Sequence, residues 1–184
     1  MGKSLKKPDE KFQKRKAVGA VLSLNEILLD LIAATRTYEY FFLEAIFATG
    51  TENMSTGIWR MCFFHLVDAL FKYVETYEYT KDIIPDSVRP LAKKLFKECE
   101  EKNIRSCRNN YGSHHRDLLM NSISPTNEIK SLIDSVIQGD QYSFIKWINN
   151  FEDVPDPSSV QSSIEKIRAE IVKVFELDGS VYEL

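Results

Sequence analysis

The residue types best suited to chemistry are concentrated in one short stretch, residues 108–115. It contains Arg108 and two of the three histidines in the chain, His114 and His115. Arginine is a permanent cation with a planar fork that suits phosphate, and histidine exchanges protons near neutral pH. The chain has no nucleophile-elbow serine, and the stretch has no catalytic cysteine pattern and no carboxylate cluster. The pair therefore indicates chemistry on phosphodiesters rather than on acyl groups.

The spacing leaves open which histidine acts with Arg108. In a helix that turns by about 100° per residue, His115 returns to within about 20° of Arg108 and shares its face with Tyr111. His114 lies about 120° away in the same helix, but Gly112 weakens regular helix and could allow His114 to face Arg108. Both histidines remain candidates.

The elements that must position these residues are predicted to be helical. Glycine (7) and proline (6) are scarce, strict two-residue alternation is absent, and apolar residues recur with the 3.6-residue period of a helix. The pattern predicts an all-α bundle of five to seven helices, with long antiparallel helices near 20–48 and 55–79. A third helix is expected after a cap at Asp86 or Ser87, with a bend at Lys102-Asn103 before the motif helix. One shorter helix is expected after Pro125 and another around Phe144. A last helix is expected to begin at Ser158 or Ser159.

The motif helix has its own apolar stripe, which should anchor it to the core. Ile104, Cys107, Tyr111 and Leu118 form this stripe, so Arg108 and the histidines are expected on a polar flank near a cleft.

The helix near 55–79 is expected to be central because apolar residues surround it on nearly every side. His65 lies within its stripe and is predicted to be a hydrogen-bonded core residue. Asp68 and Glu75 are seven residues apart on one face, where they could approach the motif as a third catalytic group or form a solvated, ion-paired edge.

The charge is unevenly distributed along the chain. The net charge is −3, but the first sixteen residues carry +5 and the remainder −8. Residues 1–18 are predicted to be a basic, flexible arm, and residues 19–184 a single domain large enough to bury a core. An acidic body argues against broad, nonspecific RNA binding, so any RNA contact should be local.

The sequence predicts a cytoplasmic protein that does not associate with a membrane. The basic start lacks the apolar core of a signal peptide, and no window reaches about 18 uninterrupted apolar residues. The cysteines, Cys62, Cys99 and Cys107, are odd in number, which fits a reducing compartment.

The motif resembles the signature of the HEPN (higher eukaryotes and prokaryotes nucleotide-binding) superfamily of small all-α domains. That signature is an arginine, a spacer of four to six residues and a histidine, with a polar residue such as asparagine just after the arginine. Arg108 and Asn109 match it with His114 at a five-residue spacer, or with His115 at six. The resemblance covers the motif helix in detail and the rest of the chain only through helical architecture and size.

The resemblance implies a metal-independent endoribonuclease that acts as a toxin or a phage-defence effector. His114 or His115 would serve as general base or acid around attack of the 2′-hydroxyl on the adjacent phosphate. Arg108 would stabilise the phosphate charge, Asn109 would orient the histidine or donate to phosphate, and Tyr111 is the candidate substrate-binding residue. The family also implies a homodimer with a composite cleft and an antitoxin partner such as a minimal nucleotidyltransferase.

Two other interpretations of the motif are open. Arg108 could pair with Asp117 or Glu101 in a non-catalytic HEPN-like domain, or in an unrelated helical module that binds nucleotide, RNA or protein. Cys99, Cys107 and the two motif histidines have the residue types of a zinc site, but their spacing does not match structural zinc sites. The sequence therefore predicts no metal and no cofactor.

Overall fold

A computed structural model of the chain describes residues 10–43, 52–110, 126–149 and 156–177. These residues form seven α-helices and one π-helical turn, and they contain no strand. The helices are α1 (Glu10–Tyr38, continued by the π-helical turn Glu39–Leu43), α2 (Glu52–Thr80), α3 (Arg89–Glu101), α4 (104–110), α5 (Thr126–Ile137), α6 (Gln141–Ile148) and α7 (Val160–Val174). The predicted all-α bundle is confirmed.

The pairing of α1 with α2 is antiparallel, as the sequence predicted. Ser23 and Thr76 share a hydrogen bond of 2.7 Å between their hydroxyl groups. At the other end, the rings of Tyr38 and Phe63 meet edge to face with centroids 5.5 Å apart. Positions therefore rise along α1 as they fall along α2, and the two 29-residue helices form the frame of the bundle.

The start of α1 lies inside the interval predicted to be the basic arm. Residues 10–18 belong to the helix, and Ala17 is completely buried. Lys16 bonds Asp82 at 2.6 Å and lies 4.7 Å from the centre of the Tyr79 ring. Polar residues dominate this first part of α1, so it lacks the apolar periodicity that marks the rest of the helix.

The central position of α2 follows from its composition. Nine of its apolar residues are buried: Cys62, Phe63, Leu66, Val67, Ala69, Leu70, Phe71, Tyr73 and Val74. Helices α1, α3 and α5 all contact it. The hydroxyl of Tyr73, which is only 1% exposed, donates a 2.9 Å hydrogen bond to the carbonyl of Ala92 in α3.

The predicted helix starts are correct for α7 and wrong for α3. The Ser159 side chain caps α7 by accepting a hydrogen bond from the Ser162 amide. At α3, the residue before the helix is Val88, which makes no side-chain cap, although proline occupies the first turn as predicted. Ser87 instead donates to Glu170 of α7 at 3.0 Å, so its hydroxyl ties two helices together rather than capping one.

The bend predicted at Lys102-Asn103 is present and sets the direction of the motif helix. Asn103 adopts a left-handed backbone conformation (φ 56°) between α3 and α4. Asparagine tolerates this conformation better than most residues with side chains. The chain can therefore leave α3 and start α4 without a glycine.

The helix formed by residues 10–42 is long and apolar enough to cross a membrane by length and composition, with a mean hydropathy of 1.8 over its best window. Half of that window is buried inside the protein, and the core helices of soluble proteins can pass the same test of length and composition. The sequence count of uninterrupted apolar residues did not detect this helix because scattered polar residues interrupt it.

Burial should make all three thiols slow to react in the folded protein. Each is free and buried, and desolvation raises the pKa of Cys62 and of Cys107 to about 11. The thiolate is the reactive form, so at pH 8 we expect labelling by a disulfide reagent to be at least about tenfold slower than in denaturant. Rapid labelling of a cysteine without denaturant would contradict this packing.

Tyr73→Phe should reduce stability without changing the fold. It removes the buried hydroxyl that joins α2 to α3, and loss of such a hydrogen bond costs about 1 kcal/mol. Denaturant unfolding would measure the change, with Tyr79→Phe as the control because the Tyr79 side chain is exposed. Equal stability of the two variants would show that the Tyr73 contact does not hold α3.

Candidate functional site

Helix α4 presents the first residues of the motif to solvent. Ile104 and Cys107 are buried, and the Cys107 thiol contacts the carbonyl oxygen of Leu132 in α5 at 3.5 Å. Arg108 and Asn109, on the other side of the helix, are exposed. The predicted separation between an apolar anchor and a polar flank is therefore present in α4.

The guanidinium of Arg108 is held by two side chains of α2. Its Nε atom lies 3.6 Å from Oδ1 of Asp68, and its central carbon lies 4.8 Å from the centre of the Phe71 ring. The Arg108 side chain is nevertheless 45% exposed. Within the described part of the chain, the acidic contact given by the structure is through Nε, and because the side chain is 45% exposed, its terminal nitrogens can receive an anion. Planar guanidinium groups bind phosphate through the edge that carries these nitrogens.

Asp68 belongs to a chain of alternating charges that crosses three helices. Lys72, one turn further along α2, lies 3.6 Å from Asp68 and 2.8 Å from Asp30 of α1. The hydrogen bond from Lys72 to Asp30 is the largest of the effects that raise the pKa of Lys72. We call Arg108, Asp68, Lys72 and Asp30 the charge network. Asp68 thus shares its charge between two cations, which weakens its hold on either one.

The other described arginine of α4 is committed to a different site. Arg105 contacts Glu78 at 2.9 Å and Glu100 at 3.5 Å. The hydrogen bond that Arg105 donates to Glu78 is the main cause of the raised pKa of Arg105. Because its carboxylate partners are on α2 and α3, Arg105 supports the packing of α4 and is separated from the Arg108 site.

His65 is exposed, so the prediction of a buried core histidine is wrong. It lies three residues before Asp68 on α2 and therefore near the same face. Together with Met61 of α2 and with Asp30 and Thr37 of α1, it lines an open groove of about 210 Å³. In the sequence, the three-residue spacing between His65 and Asp68 indicates that the two side chains lie near the same side of α2. The apolar residues of α2 are spread around the helix, however, so the sequence does not show which side faces solvent.

Asp68 and Glu75 differ in their relation to the motif. Asp68 contacts Arg108, so it does approach the motif, which was one of the two alternatives for this residue. Glu75 is exposed one turn beyond Lys72. Glu101, the alternative partner for Arg108 on the neighbouring helix, is also exposed; in the described ranges the acidic partner of Arg108 is Asp68.

Three predicted site residues, Tyr111, His114 and His115, lie outside the described residues, as does Asp117. The structure therefore brings together Arg108, Asn109 and Asp68 from the candidate set. In the part of the chain that is described, no group of three or more histidine, cysteine or acidic residues could hold a metal ion.

Comparison of the chain with protein-family models, curated proteins and solved structures found no match. The fold and the site thus define an all-α bundle with an exposed, carboxylate-held arginine at the start of an Arg-Asn-to-His motif.

Arg108→Ala should leave the fold intact. Its pair with Asp68 is partly exposed, and such pairs contribute about 0.2–1 kcal/mol; the contact with Phe71 adds about 0.5–1 kcal/mol. We expect the free energy of unfolding in denaturant to fall by less than roughly 2 kcal/mol. A larger loss would mean that Arg108 is chiefly a structural residue.

Proposed function

We propose that this chain is a metal-independent endoribonuclease of the HEPN type. The observation that carries the proposal is the position of Arg108: exposed on α4, oriented by Asp68 and Phe71, and followed at the required spacing by the motif histidines. An arginine that is fixed in place yet open along one edge is suited to recognise a phosphodiester.

In the proposed reaction, one motif histidine removes the proton from the 2′-hydroxyl of RNA. The 2′-oxygen forms a bond to the adjacent phosphorus while the bond from phosphorus to the 5′-oxygen breaks, and a protonated group supplies the proton to that leaving oxygen. The products are a 2′,3′-cyclic phosphate and a 5′-hydroxyl end. Histidine, with an ordinary pKa near 6.5, suits these transfers. Arg108 stabilises the charge that develops on the phosphate.

The remaining candidates have supporting roles in this proposal. Asn109, exposed beside Arg108, donates to the phosphate or orients the histidine, and Tyr111 contacts the substrate. His114 and His115 follow Asn110 by four and five residues, so the chain itself keeps them within about 14–18 Å of it.

Asp68 has two opposing effects on phosphate binding. It holds the Arg108 side chain in one orientation, and its negative charge also neutralises part of the positive charge that attracts phosphate. Because Lys72 shares the Asp68 carboxylate and the pair with Arg108 is partly exposed, a phosphate that bonds two guanidinium nitrogens can compete with it. The acidic body of the chain, at −8 beyond residue 16, confines RNA binding to such local cations.

The assembly that accompanies this activity is a cytoplasmic homodimer in which two motif helices share one cleft. An effector that cleaves cellular RNA, as a toxin or in phage defence, also needs a neutralising partner. A minimal nucleotidyltransferase is the antitoxin that the HEPN resemblance suggests.

The second candidate function is a non-catalytic helical module that binds RNA, nucleotide or protein. The observation that favours it is the charge network itself, because Arg108 already has a carboxylate and an aromatic partner within the fold. In that case Arg108 would serve packing and partner recognition, and no RNA would be cleaved.

Purified protein should cleave RNA in the presence of a chelator and leave cyclic-phosphate ends. We expect Arg108→Ala to lower the rate by about 10²–10³-fold, since it removes the group that stabilises phosphate charge. Arg105→Ala is the matched control: it removes an arginine from the same helix whose partners are Glu78 and Glu100, and it should retain activity. Absence of cyclic-phosphate products from folded wild-type protein, across several RNA substrates, would favour the non-catalytic module.

Separate alanine variants should identify the proton-transfer residue. We expect loss of about 10²–10⁴-fold in rate for one of His114→Ala and His115→Ala. His65→Ala should retain the rate, since the proposal assigns proton transfer to the motif. A large loss of rate in His65→Ala alone would move the acid–base role from the motif to α2.

Expression of wild type, but not of Arg108→Ala, should slow growth of the host.

A further inference from the structure

An open groove of about 210 Å³ lies between α1 and α2, and we call it the α1–α2 groove. The lining residues that are not buried are Asp30, Ala33 and Thr37 of α1 and Met61 and His65 of α2. Ala33 and Met61 are exposed, so the groove offers apolar surface as well as polar groups. Pockets for drug-sized ligands measure roughly 300–1,000 Å³, and this smaller groove therefore suits a single planar ring system.

Two polar groups of the groove are hydrogen-bond acceptors. A carboxylate has no proton to donate and has about four lone-pair sites, of which Asp30 uses one to accept from Lys72 at 2.8 Å. The Thr37 hydroxyl donates its proton to the carbonyl oxygen of Ala33 at 2.7 Å, so its lone pairs are what it offers a ligand. A ligand that binds beside Asp30 and Thr37 must therefore donate hydrogen bonds to them.

The α1–α2 groove adjoins the Arg108 site through the charge network. Lys72 lies 2.8 Å from Asp30 and 3.6 Å from Asp68, and Asp68 lies 3.6 Å from Arg108. The carboxylate of Asp30 and the guanidinium of Arg108 are thus separated by about the length of one nucleotide, from its phosphate to the outer edge of its base. Because Lys72 partly neutralises Asp30, an anionic ligand can approach this carboxylate.

We propose that the α1–α2 groove binds the base of the nucleotide whose phosphate contacts Arg108, and that it prefers cytosine to uracil. The 4-amino group of cytosine donates to the Asp30 carboxylate, which is the contact that acidic side chains make with this base. The ring packs against Met61, whose thioether makes favourable contacts with aromatic rings. Single-stranded RNA is recognised through unstacked bases in this way. The identity of the ligand as RNA rests on the proposed function.

Uracil is disfavoured because it has a keto oxygen where cytosine has the amino group. That oxygen would face the acceptor oxygens of Asp30 and Thr37, and none of the three could satisfy another. Groups left unpaired on binding cost free energy, so a site built from acceptors rejects a base that lacks the donor. The preference for one base therefore arises at Asp30, whereas the phosphate contact at Arg108 is the same for every base.

Cytidine and uridine 3′-monophosphates are matched probes for the groove, since both carry the phosphate and differ only at the 4-position and the adjoining ring nitrogen. Calorimetric titration of the full chain should give a Kd about tenfold lower for the cytidine probe, the effect of one charge-assisted hydrogen bond. Ala33→Leu fills the groove without removing a polar side chain, and it should abolish this preference. Ala169→Leu, the same substitution at an exposed position of α7, is the control and should preserve it.

Asp30→Asn should lower the ratio of the two Kd values from about ten to about one, because the amide donates to a keto oxygen as readily as it accepts from an amino group. Glu26→Gln, which makes the same chemical change one turn earlier at an exposed position of α1, should leave the ratio unchanged. Arg108→Ala should weaken both probes by the same factor. Circular dichroism would verify the fold of each variant, and Ala33→Leu decides the outcome if Asp30→Asn does not fold.

Three results would overturn the groove as a base-binding site. They are equal affinity of wild type for the two probes, no binding of either at about 1 mM, or a preference that survives both Ala33→Leu and Asp30→Asn. Base-dependent binding without cleavage of any RNA would reject the ribonuclease and keep the groove as a nucleotide site. Cleavage of RNA with equal rates after cytidine and uridine would do the opposite.

Discussion

The structure depends on the burial of one broad side of α2. Buried residues on this side run from Cys62 to Val74, and α1, α3 and α5 pack against the helix. The side of α2 that includes His65, Asp68, Lys72 and Glu75 remains partly or fully open to solvent. A carboxylate at the border of a core needs a counter-charge, and Asp68 has two, Lys72 and Arg108. The same constraint that builds the core therefore decides where Arg108 is held.

The two arginines of α4 show how position separates a structural role from a candidate functional one. Among the described residues, Arg105 has two carboxylate partners, whereas Arg108 has one, which is shared with Lys72. A cation with undivided carboxylate partners is already matched, and a further anion would gain little by approaching it. The shared carboxylate leaves Arg108 less fully compensated. An exposed, undercompensated arginine at the start of the motif is the arrangement that a phosphate-binding role requires.

The sequence predicted the helical class, the α1–α2 pairing, the Asn103 bend and the exposure of Arg108, because each follows from local periodicity or backbone preference. It could not predict the environment of His65, since a helix with apolar residues on nearly every side gives no solvent direction until its neighbours are placed. The sequence pattern also failed to predict the first turns of α1, in this case because apolar residues are too few rather than too many. That segment is polar, and long-range contacts of Lys16 hold it. The contact of Arg108 with Asp68 joins residues forty positions apart, which spacing within one helix does not reveal.

The composition of α1 exceeds what covering the core requires. A helix that only covered a core would need one apolar side, and α1 has a second one with Leu22, Leu29 and Tyr40 exposed. Polar residues between them prevent a long uninterrupted apolar run, so a count of consecutive apolar residues in the sequence does not reveal this surface. It is recognised only when the structure shows which residues of α1 are buried and which are exposed. Arg36, on the same side of the helix, bonds Glu39 of the adjoining π-helical turn, so its charge is compensated within the same stretch of helix.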